Sequence, residues 1–587
     1  MGVCRSAIDG AFLLLLAMGG WLMGGGCRPA ASPQGASDAS PMRKPTGLFE
    51  DVTERVGIAF RHTNGSREKY LFLQTLGGGC AFLDYDGDGF QDVLLVTCGD
   101  FPRQQPQQNV FLYRNLGNGT FKEVTRGSGL DRDCQYAQGV AVGDYDNDGR
   151  PDVFITAYGG CFLFRNETQN AQPVFRDVTQ QAGVGDTDQG TRWASSAAFG
   201  DYNNDGWLDL YVCHYAVWSP QIDKLCPVPG RRFTLCNPTV YEADADRLYR
   251  NEGNGRFTDV THRAGIHRAR GRGLALAWLD YNQDGWQDIY IANDMNPNIL
   301  FRNNRDGTFT DVAPLAGAAY GADGMALSGM GVAVADYDNS GRESLFVTNL
   351  NGQLYSLFHN DDGQQFSYAT ETAGLRLPTF AYSGFGTAFL DYDRDGWRDL
   401  VAGNGHVNPE IDQYMPGVTY KEPKGLYHNQ RDGTFRDLSP QSGDMTRPRS
   451  TRGLAVGDYD NDGRIDVLCV NRNDRAELFR NISPDKNNYL TIRLVGRTAN
   501  RDGVGTKVWV TAGGLRQFAE ARSNASYGSS HDPRLHFGLG KANRVERLEL
   551  KWLSGRRDVY TDLAPNQFIV CTEGRGYAVE RWHVGDS

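Results

Sequence analysis

The stretch DYDNDGRPD, Asp144 to Asp152, returns in the same nine-residue frame as DYDGDGFQD at Asp84, DYNNDGWLD at Asp201, DYNQDGWQD at Asp280, DYDRDGWRD at Asp391 and DYDNDGRID at Asp458. In these six copies positions one, three, five and nine carry Asp or Asn, position two is Tyr and position six is Gly. Turn chemistry alone would explain one such stretch. It would not keep oxygen donors on alternate residues while leaving position four free to be Gly, Asn, Gln or Arg.

Oxygen donors alternating around a glycine turn suit a hard cation with six to eight oxygen ligands, calcium before magnesium. No thiolate or imidazole lies in the frame, which argues against zinc or copper. Carboxylates about 5 Å apart repel by roughly 3 kcal/mol per pair at an effective dielectric near 20, so four in one turn call for a cation. The expected ligands are Asp84, Asp86, Asp88 and Asp92; Asp144, Asp146, Asp148 and Asp152; Asp201, Asn203, Asp205 and Asp209; Asp280, Asn282, Asp284 and Asp288; Asp391, Asp393, Asp395 and Asp399; and Asp458, Asp460, Asp462 and Asp466. A seventh copy, DYDNSGRES at Asp336, has Ser340 and Ser344 at positions five and nine. Its lower charge predicts an empty loop and six calcium ions per chain.

An EF-hand needs a Glu at position twelve and flanking helices. The first two copies place Leu95 and Ile155 there, and the flanks AFLDYD and DVLLVTC read as strands. Each loop therefore joins the strands of a hairpin. Successive loops lie 60, 57, 79, 56, 55 and 67 residues apart, the mark of a repeat architecture. Within the period a second motif recurs, as in LYRNLGNGTFKEVT and LFRNNRDGTFTDVA, paired strands around an Asn-Gly or Asp-Gly turn. Four strands in each of seven units predict an all-β chain, a seven-bladed β-propeller over residues 47–484. The first strand of each unit, as in GVAVGDYD, is rich in Gly and Ala, as innermost strands around a channel require. The last unit stops at Asn481 without an FxDVT strand, and FEDVT stands alone at Phe49. The N-terminal strand is expected to complete the seventh blade and remove two open edges.

These repeats resemble the FG-GAP or VCBS propeller repeats of integrin α-subunits and cartilage acidic proteins. The stretch 485–575 resembles the ASPIC and UnbV domain through RDGVGTKV at Arg501, SYGSS at Ser526, HFGLG at His536 and WLSG at Trp552. Ser526 stands where that domain commonly has Gly. The resemblance implies a calcium-binding propeller followed by a small β domain and a tail, 576–587.

The chain is 587 residues long and 40% hydrophobic, enough for a large core and a second domain. Its net charge is −11, but the loops alone hold 24 Asp, without which the remainder is +13. The acidity is local, and no basic stripe points to nucleic acid. Residues 1–27, with Arg5 followed by AFLLLLAMGGWLMGGGC, read as an export signal. Its GGGC ending resembles a lipoprotein cleavage site with Cys27 lipidated, the alternative being a cleaved secreted form. Residues 28–46 read as a flexible tether. Export permits disulfides. Cys226 and Cys236 are the expected pair, whereas Cys80 with Cys98 and Cys134 with Cys161 are either cross-strand bonds or buried thiols. No CxxCH is present, which excludes covalent haem.

Strand order puts the acidic loops on one face. The two longest insertions, Cys213 to Asp246 and Gly403 to Lys424, fall on the other. Long loops on a rigid scaffold carry function. The leading expectation is a monomeric exported binding or adhesion module for an extracellular or envelope protein or glycan, touching membrane only through a lipid anchor. The alternative is a polysaccharide lyase or hydrolase with His406 and Glu410 or Asp412 as acid and base, against which stands a His that merely braces its loop.

Overall fold

Alternating apolar runs on either side of each acidic turn pair as antiparallel hairpins, for example Gly143 opposite Asp152 and Val142 opposite Val153. A computed structural model of the chain describes residues 47–65, 70–103, 105–185, 192–228 and 231–580. The export signal, Cys27 and the 28–46 tether lie outside the described residues, as does the tail beyond Glu580.

Among the described residues, seven four-stranded sheets follow one pattern. The second comprises Tyr136–Gly143, Asp152–Tyr158, Phe162–Asn166 and Phe175–Asp177, numbered inside to outside. The innermost strands meet in cyclic order, from Cys80–Leu83 through Tyr136–Gly143, Ala194–Gly200, Gly273–Leu279, Gly331–Ala335 and Gly384–Leu390 to Thr451–Gly457, which returns to Cys80–Leu83. These sheets are the blades, numbered 1 to 7 from that first strand. Blade 7 takes its outer strand from the N-terminus, Phe49–Asp51 pairing with Glu477–Asn481.

The tyrosine at position two of every loop packs on the phenylalanine that opens the outer strand of the next blade. The ring pairs are Tyr85–Phe175, Tyr145–Phe257, Tyr202–Phe309, Tyr281–Phe366, Tyr337–Phe435, Tyr392–Phe49 and Tyr459–Phe121. All are tilted pairs, the geometry aromatic rings favour over face-to-face stacking. The FxDVT motif thus supplies both an outer strand and a contact between blades.

Two further four-stranded sheets form the C-terminal domain, one centred on Asn488–Val495 and Gln567–Thr572, the other on Lys507–Ala512 and Val545–Lys551. They enclose a core that includes Leu490, Ile492, Val508, Phe537, Leu548 and Trp552. The domain runs past the expected boundary at 575, because Gly576–Val579 pairs with Gln567–Thr572 as a further strand.

The segment 521–534 of this domain enters the centre of the ring. Ser523 Oγ donates to Phe199 O (2.6 Å), Arg522 Nε to Trp278 O (3.3 Å), Ser526 N to Val332 O (2.7 Å) and Ser526 Oγ to Leu454 O (2.9 Å). Thr387 N donates to Ser526 Oγ, Val140 N to Gly528 O and Ser530 N to Cys80 O, each at 3.0 Å. Every blade therefore bonds to the segment. The small residues of the inner strands make room for this chain: a Cβ on Gly79 would lie 2.1 Å from Gly528 O. The segment occupies the centre, where the sequence pattern predicts a channel, and leaves beside it a cavity of about 150 Å³ lined by Ala333, Ala388, Val456, Ser523 and Asn524.

Cys226 and Cys236 form the expected disulfide, in the hairpin Leu225–Val228 and Arg231–Leu235. Cys80, Cys98, Cys134 and Cys161 are buried thiols, and the cross-strand bonds do not form. Cys80 and Cys98 lie on opposite sides of a hairpin but in different surroundings: Cys80 Sγ faces Ser529 Oγ and Leu468 O, Cys98 Sγ faces His62.

Candidate metal centres

Each loop is drawn inward by its own amides. The position-one carboxylate accepts the N–H of the position-six glycine, as in Asp84 from Gly89 (3.0 Å), Asp201 from Gly206 (3.0 Å) and Asp458 from Gly463 (2.8 Å). That glycine sits at φ near +90°, as at Gly149 and Gly396, where a side chain would be strained. The position-nine carboxylate accepts two amides: Asp92 takes Tyr85 N (3.1 Å) and Asn115 N (2.7 Å), and Asp152, Asp209, Asp399 and Asp466 repeat the arrangement.

Among the described residues, three carboxylates converge within 4.8 Å in four loops: Asp84, Asp86 and Asp92; Asp144, Asp146 and Asp152; Asp391, Asp393 and Asp395; Asp458, Asp460 and Asp466. In the loops of blades 3 and 4 the third position is Asn203 or Asn282, whose amide donates to Asp205 or Asp284. Asp84 Oδ1, Asp146 Oδ1, Asp288 Oδ2, Asp393 Oδ1 and Asp460 Oδ1 are buried with no hydrogen-bond partner. An all-oxygen donor set with orphaned buried carboxylate oxygens fits a hard cation.

The electrostatics agree. Burial, then Asp88 and Asp86, pushes Asp84 up to about 7. Burial, then Asp399 and Asp395, takes Asp393 to about 7, and Asp92, Asp152, Asp391, Asp458 and Asp466 are raised well above the carboxylate range, burial leading in each. The position-three carboxylates meet arginines of the third strand, Arg114 with Asp86 (2.7 Å), Arg165 with Asp146 (2.7 Å) and Arg480 with Asp460 (2.7 Å).

Two histidines take the place of these arginines, and the sequence reading passed over both. His359 bridges Asp338 (2.9 Å) and Asp361 (2.7 Å), and its hydrogen bond with Asp338 raises its pKa. The altered fifth loop thus has an imidazole beside its remaining carboxylate. His428 lies 3.0 Å from Asp399 and forms a metal-sized group with Asp393 and Asp399. The signal was the change from LYRN to LFHN and LYHN.

The C-terminal domain packs on this same face. Asp502 Oδ2 accepts Asp144 N (2.8 Å), Glu520 Oε2 accepts Asp280 N (3.3 Å), and Lys507 Nζ donates to Asp280 Oδ2 (2.5 Å). Position eight, variable and so unremarked in the sequence, turns toward the domain: Gln287 bonds Glu520, and Glu343 pairs with Arg522.

The opposite face carries the two insertions, and they meet. Thr234 of the blade 3 insertion bonds Asn408 Nδ2 (2.5 Å) and Tyr414 OH (3.2 Å) of the blade 6 insertion. Asp223 anchors the first by accepting Phe72 N (3.1 Å) and Trp218 Nε1 (2.9 Å). His406 is buried; its Nδ1 accepts Asn408 N (3.0 Å) and its carbonyl accepts Arg452 (3.2 Å). Burial lowers its pKa to about 4. Glu410 precedes the short 3-10 turn Ile411–Gln413 without a side-chain capping bond, and Asp412 is exposed. The Asn408 bond ties the His406 ring to the backbone of its own loop.

The FG-GAP-like repeat model matches residues 84–155, 144–212, 239–291, 280–347 and 418–469, and the ASPIC and UnbV model matches 496–578. Cartilage acidic protein 1 of Xenopus tropicalis is 25% identical over 553 residues, covering 89% of this chain and 75% of that protein. The human protein of that name is 25% identical over 448 residues, 72% of this chain and 60% of its own length. This chain thus spans about three fifths of the human relative. Among solved structures, the BP39L lectin of Burkholderia pseudomallei aligns with 70% of this chain and 97% of its own, at 9% identity and a TM-score of 0.42. The repeats, their sheets and the domain that follows make this chain a member of the FG-GAP-like repeat proteins that carry an ASPIC and UnbV domain.

Proposed function

We propose that the protein is an exported binding module, a calcium-stabilised propeller that holds a protein or glycan partner on the face carrying the two insertions. One observation carries this reading. The C-terminal domain packs on the acidic loops and occupies the centre of the ring, while the blade 3 and blade 6 insertions close on each other across the opposite face. Val217, Ile222, Leu225 and Met415 expose apolar surface on those insertions, and exposed apolar side chains are what a binding face offers.

Calcium serves this module by holding the loops. The buried, orphaned carboxylate oxygens support a cation at the loops, and oxygen-only donors support calcium. Export is supported by the N-terminal 27 residues and by the Cys226–Cys236 bond, which oxidising compartments maintain.

The test replaces the disulfide hairpin, residues 225–236, with a short Gly-Ser turn, leaving the buried Trp218 and Asp223 in place, and measures binding to a glycan panel and to immobilised matrix and envelope proteins. Loss of binding with an unchanged calcium-dependent melt is expected. Full binding by the shortened protein would move the partner away from this face.

A further inference from the structure

All seven third strands end in asparagine: Asn115, Asn166, Asn251, Asn303, Asn360, Asn429 and Asn481, each at most 3% exposed. Each faces two blades at once. Its backbone N–H donates to the position-nine side chain of its own blade, at 2.7 Å to Asp92, Asp152 and Asp288 and 2.8 Å to Asp209, Asp399 and Asp466. Its side-chain Nδ2 donates to the carbonyl of the position-two tyrosine in the preceding blade: Asn166 to Tyr85 (2.9 Å), Asn251 to Tyr145 (2.8 Å), Asn303 to Tyr202 (2.8 Å), Asn360 to Tyr281 (3.0 Å), Asn429 to Tyr337 (2.7 Å) and Asn481 to Tyr392 (2.8 Å). Asn115 donates to Tyr459 (2.8 Å) and closes the circle.

In blades 1, 2, 3, 6 and 7 the tyrosine's own N–H returns to the position-nine carboxylate of its loop, at 3.1 to 3.2 Å. The path therefore runs from carboxylate to asparagine, across to the neighbour's tyrosine, and on to the neighbour's carboxylate. Blade 5 has lost the carboxylate, yet Ser344 Oγ still accepts Asn360 N (3.1 Å). The ring stays unbroken at the asparagines where the charge is gone.

We infer that this ring couples the metal loops, so that calcium in one loop raises the affinity of its neighbours, with the asparagines as positioning residues. The inference rests on the calcium reading above. In those five blades the position-nine carboxylate is both an expected ligand and the acceptor of two buried amides, and in blade 4 Asp288 holds the Asn303 amide alone, so a cation that fixes its rotamer fixes the asparagine strand end and, in the five, the tyrosine peptide with it. These groups have no water to turn to, and a buried amide that loses its acceptor costs about 1–3 kcal/mol. The fixed tyrosine carbonyl then holds the next blade's asparagine, which presents its amide to the next carboxylate. Coupling of this kind is reciprocal.

The test is a calcium titration read loop by loop by hydrogen-exchange mass spectrometry on the full chain. Wild type, Asn303→Ala and Asp284→Ala are compared. Asn303 joins loop 4 to loop 3, so Asn303→Ala should weaken both loops while leaving loop 6 unchanged. Asp284→Ala disables loop 4 with every asparagine in place, and it should weaken loop 3 by about five-fold, the low end of usual site coupling. It decides the matter if Asn303→Ala fails to fold. Loop 3 binding as wild type in the folded variants overturns the coupling and leaves the calcium reading standing. A wild-type protein that binds no calcium overturns both.

Discussion

Charge was the most legible property at the scale of single residues. The carboxylates of the loops stand out in the sequence because Asp or Asn recurs at positions one, three, five and nine of six copies. Gln287 and Glu343 at position eight could not be read, because their partners Glu520 and Arg522 lie more than a hundred residues away. The third-strand asparagine was in plain view seven times. Nothing marked it as more than a strand end, since its role depends on a neighbouring blade. Glu422 is another such residue: 1% exposed, it accepts Ser383 N through Oε2 (2.8 Å) while Oε1 has no partner, and burial pushes it up to about 8. A carboxyl raised in the folded state contributes stability below its unfolded value near 4.5, and that stability is lost as pH rises through about 8. Glu422→Gln should therefore stabilise the protein at pH 9, by about 1 kcal/mol, and change little at pH 5. Melting curves at the two pH values check it; equal shifts at both would show that the carboxyl does not titrate there. Ser526 sits at φ 107°, a region that favours glycine, and its hydroxyl joins Thr387 N to Leu454 O. Ser526→Ala leaves Thr387 N–H without its acceptor and should cost about 1–3 kcal/mol in a denaturant titration.

Elements were legible where a pattern repeats and obscure where it does not. Alternating strands, the Asn-Gly turns and the missing outer strand of the last blade were all readable, and Phe49–Asp51 pairs as that strand. Its side chains also tie the closure, Asp51 pairing with Arg475 and Thr53 Oγ1 accepting Leu478 N (2.7 Å). Deleting residues 47–54 should open blade 7 and expose a sheet edge, so the truncated protein is expected to aggregate. Size-exclusion chromatography checks this, and a monomer of unchanged melting temperature would place the closure elsewhere. The meeting of the two insertions through Thr234, Asn408 and Tyr414 had no sequence signal, since neither segment repeats or alternates.

The whole molecule depends on an arrangement that no local pattern encodes. Gly and Ala on the inner strands announce close approach, but not of what; the answer is segment 521–534, whose serines, Gly528 and Arg522 together satisfy inner-strand amides and carbonyls in all seven blades. Ending the chain at residue 484 would leave those groups facing an empty centre, so the isolated propeller should be poorly soluble or melt well below the full chain. The central claim is that calcium in the acidic loops holds this assembly together. Six sites, each at ten-fold saturation, contribute about 1.4 kcal/mol apiece, about 8 kcal/mol in all. For a chain of this size that corresponds to a shift of roughly 5–10 °C. The direct measurement is the thermal melt of the full chain in millimolar calcium and again in excess EGTA. A melting temperature lowered by that amount on chelation is the expected result, and an unchanged melt would contradict the claim.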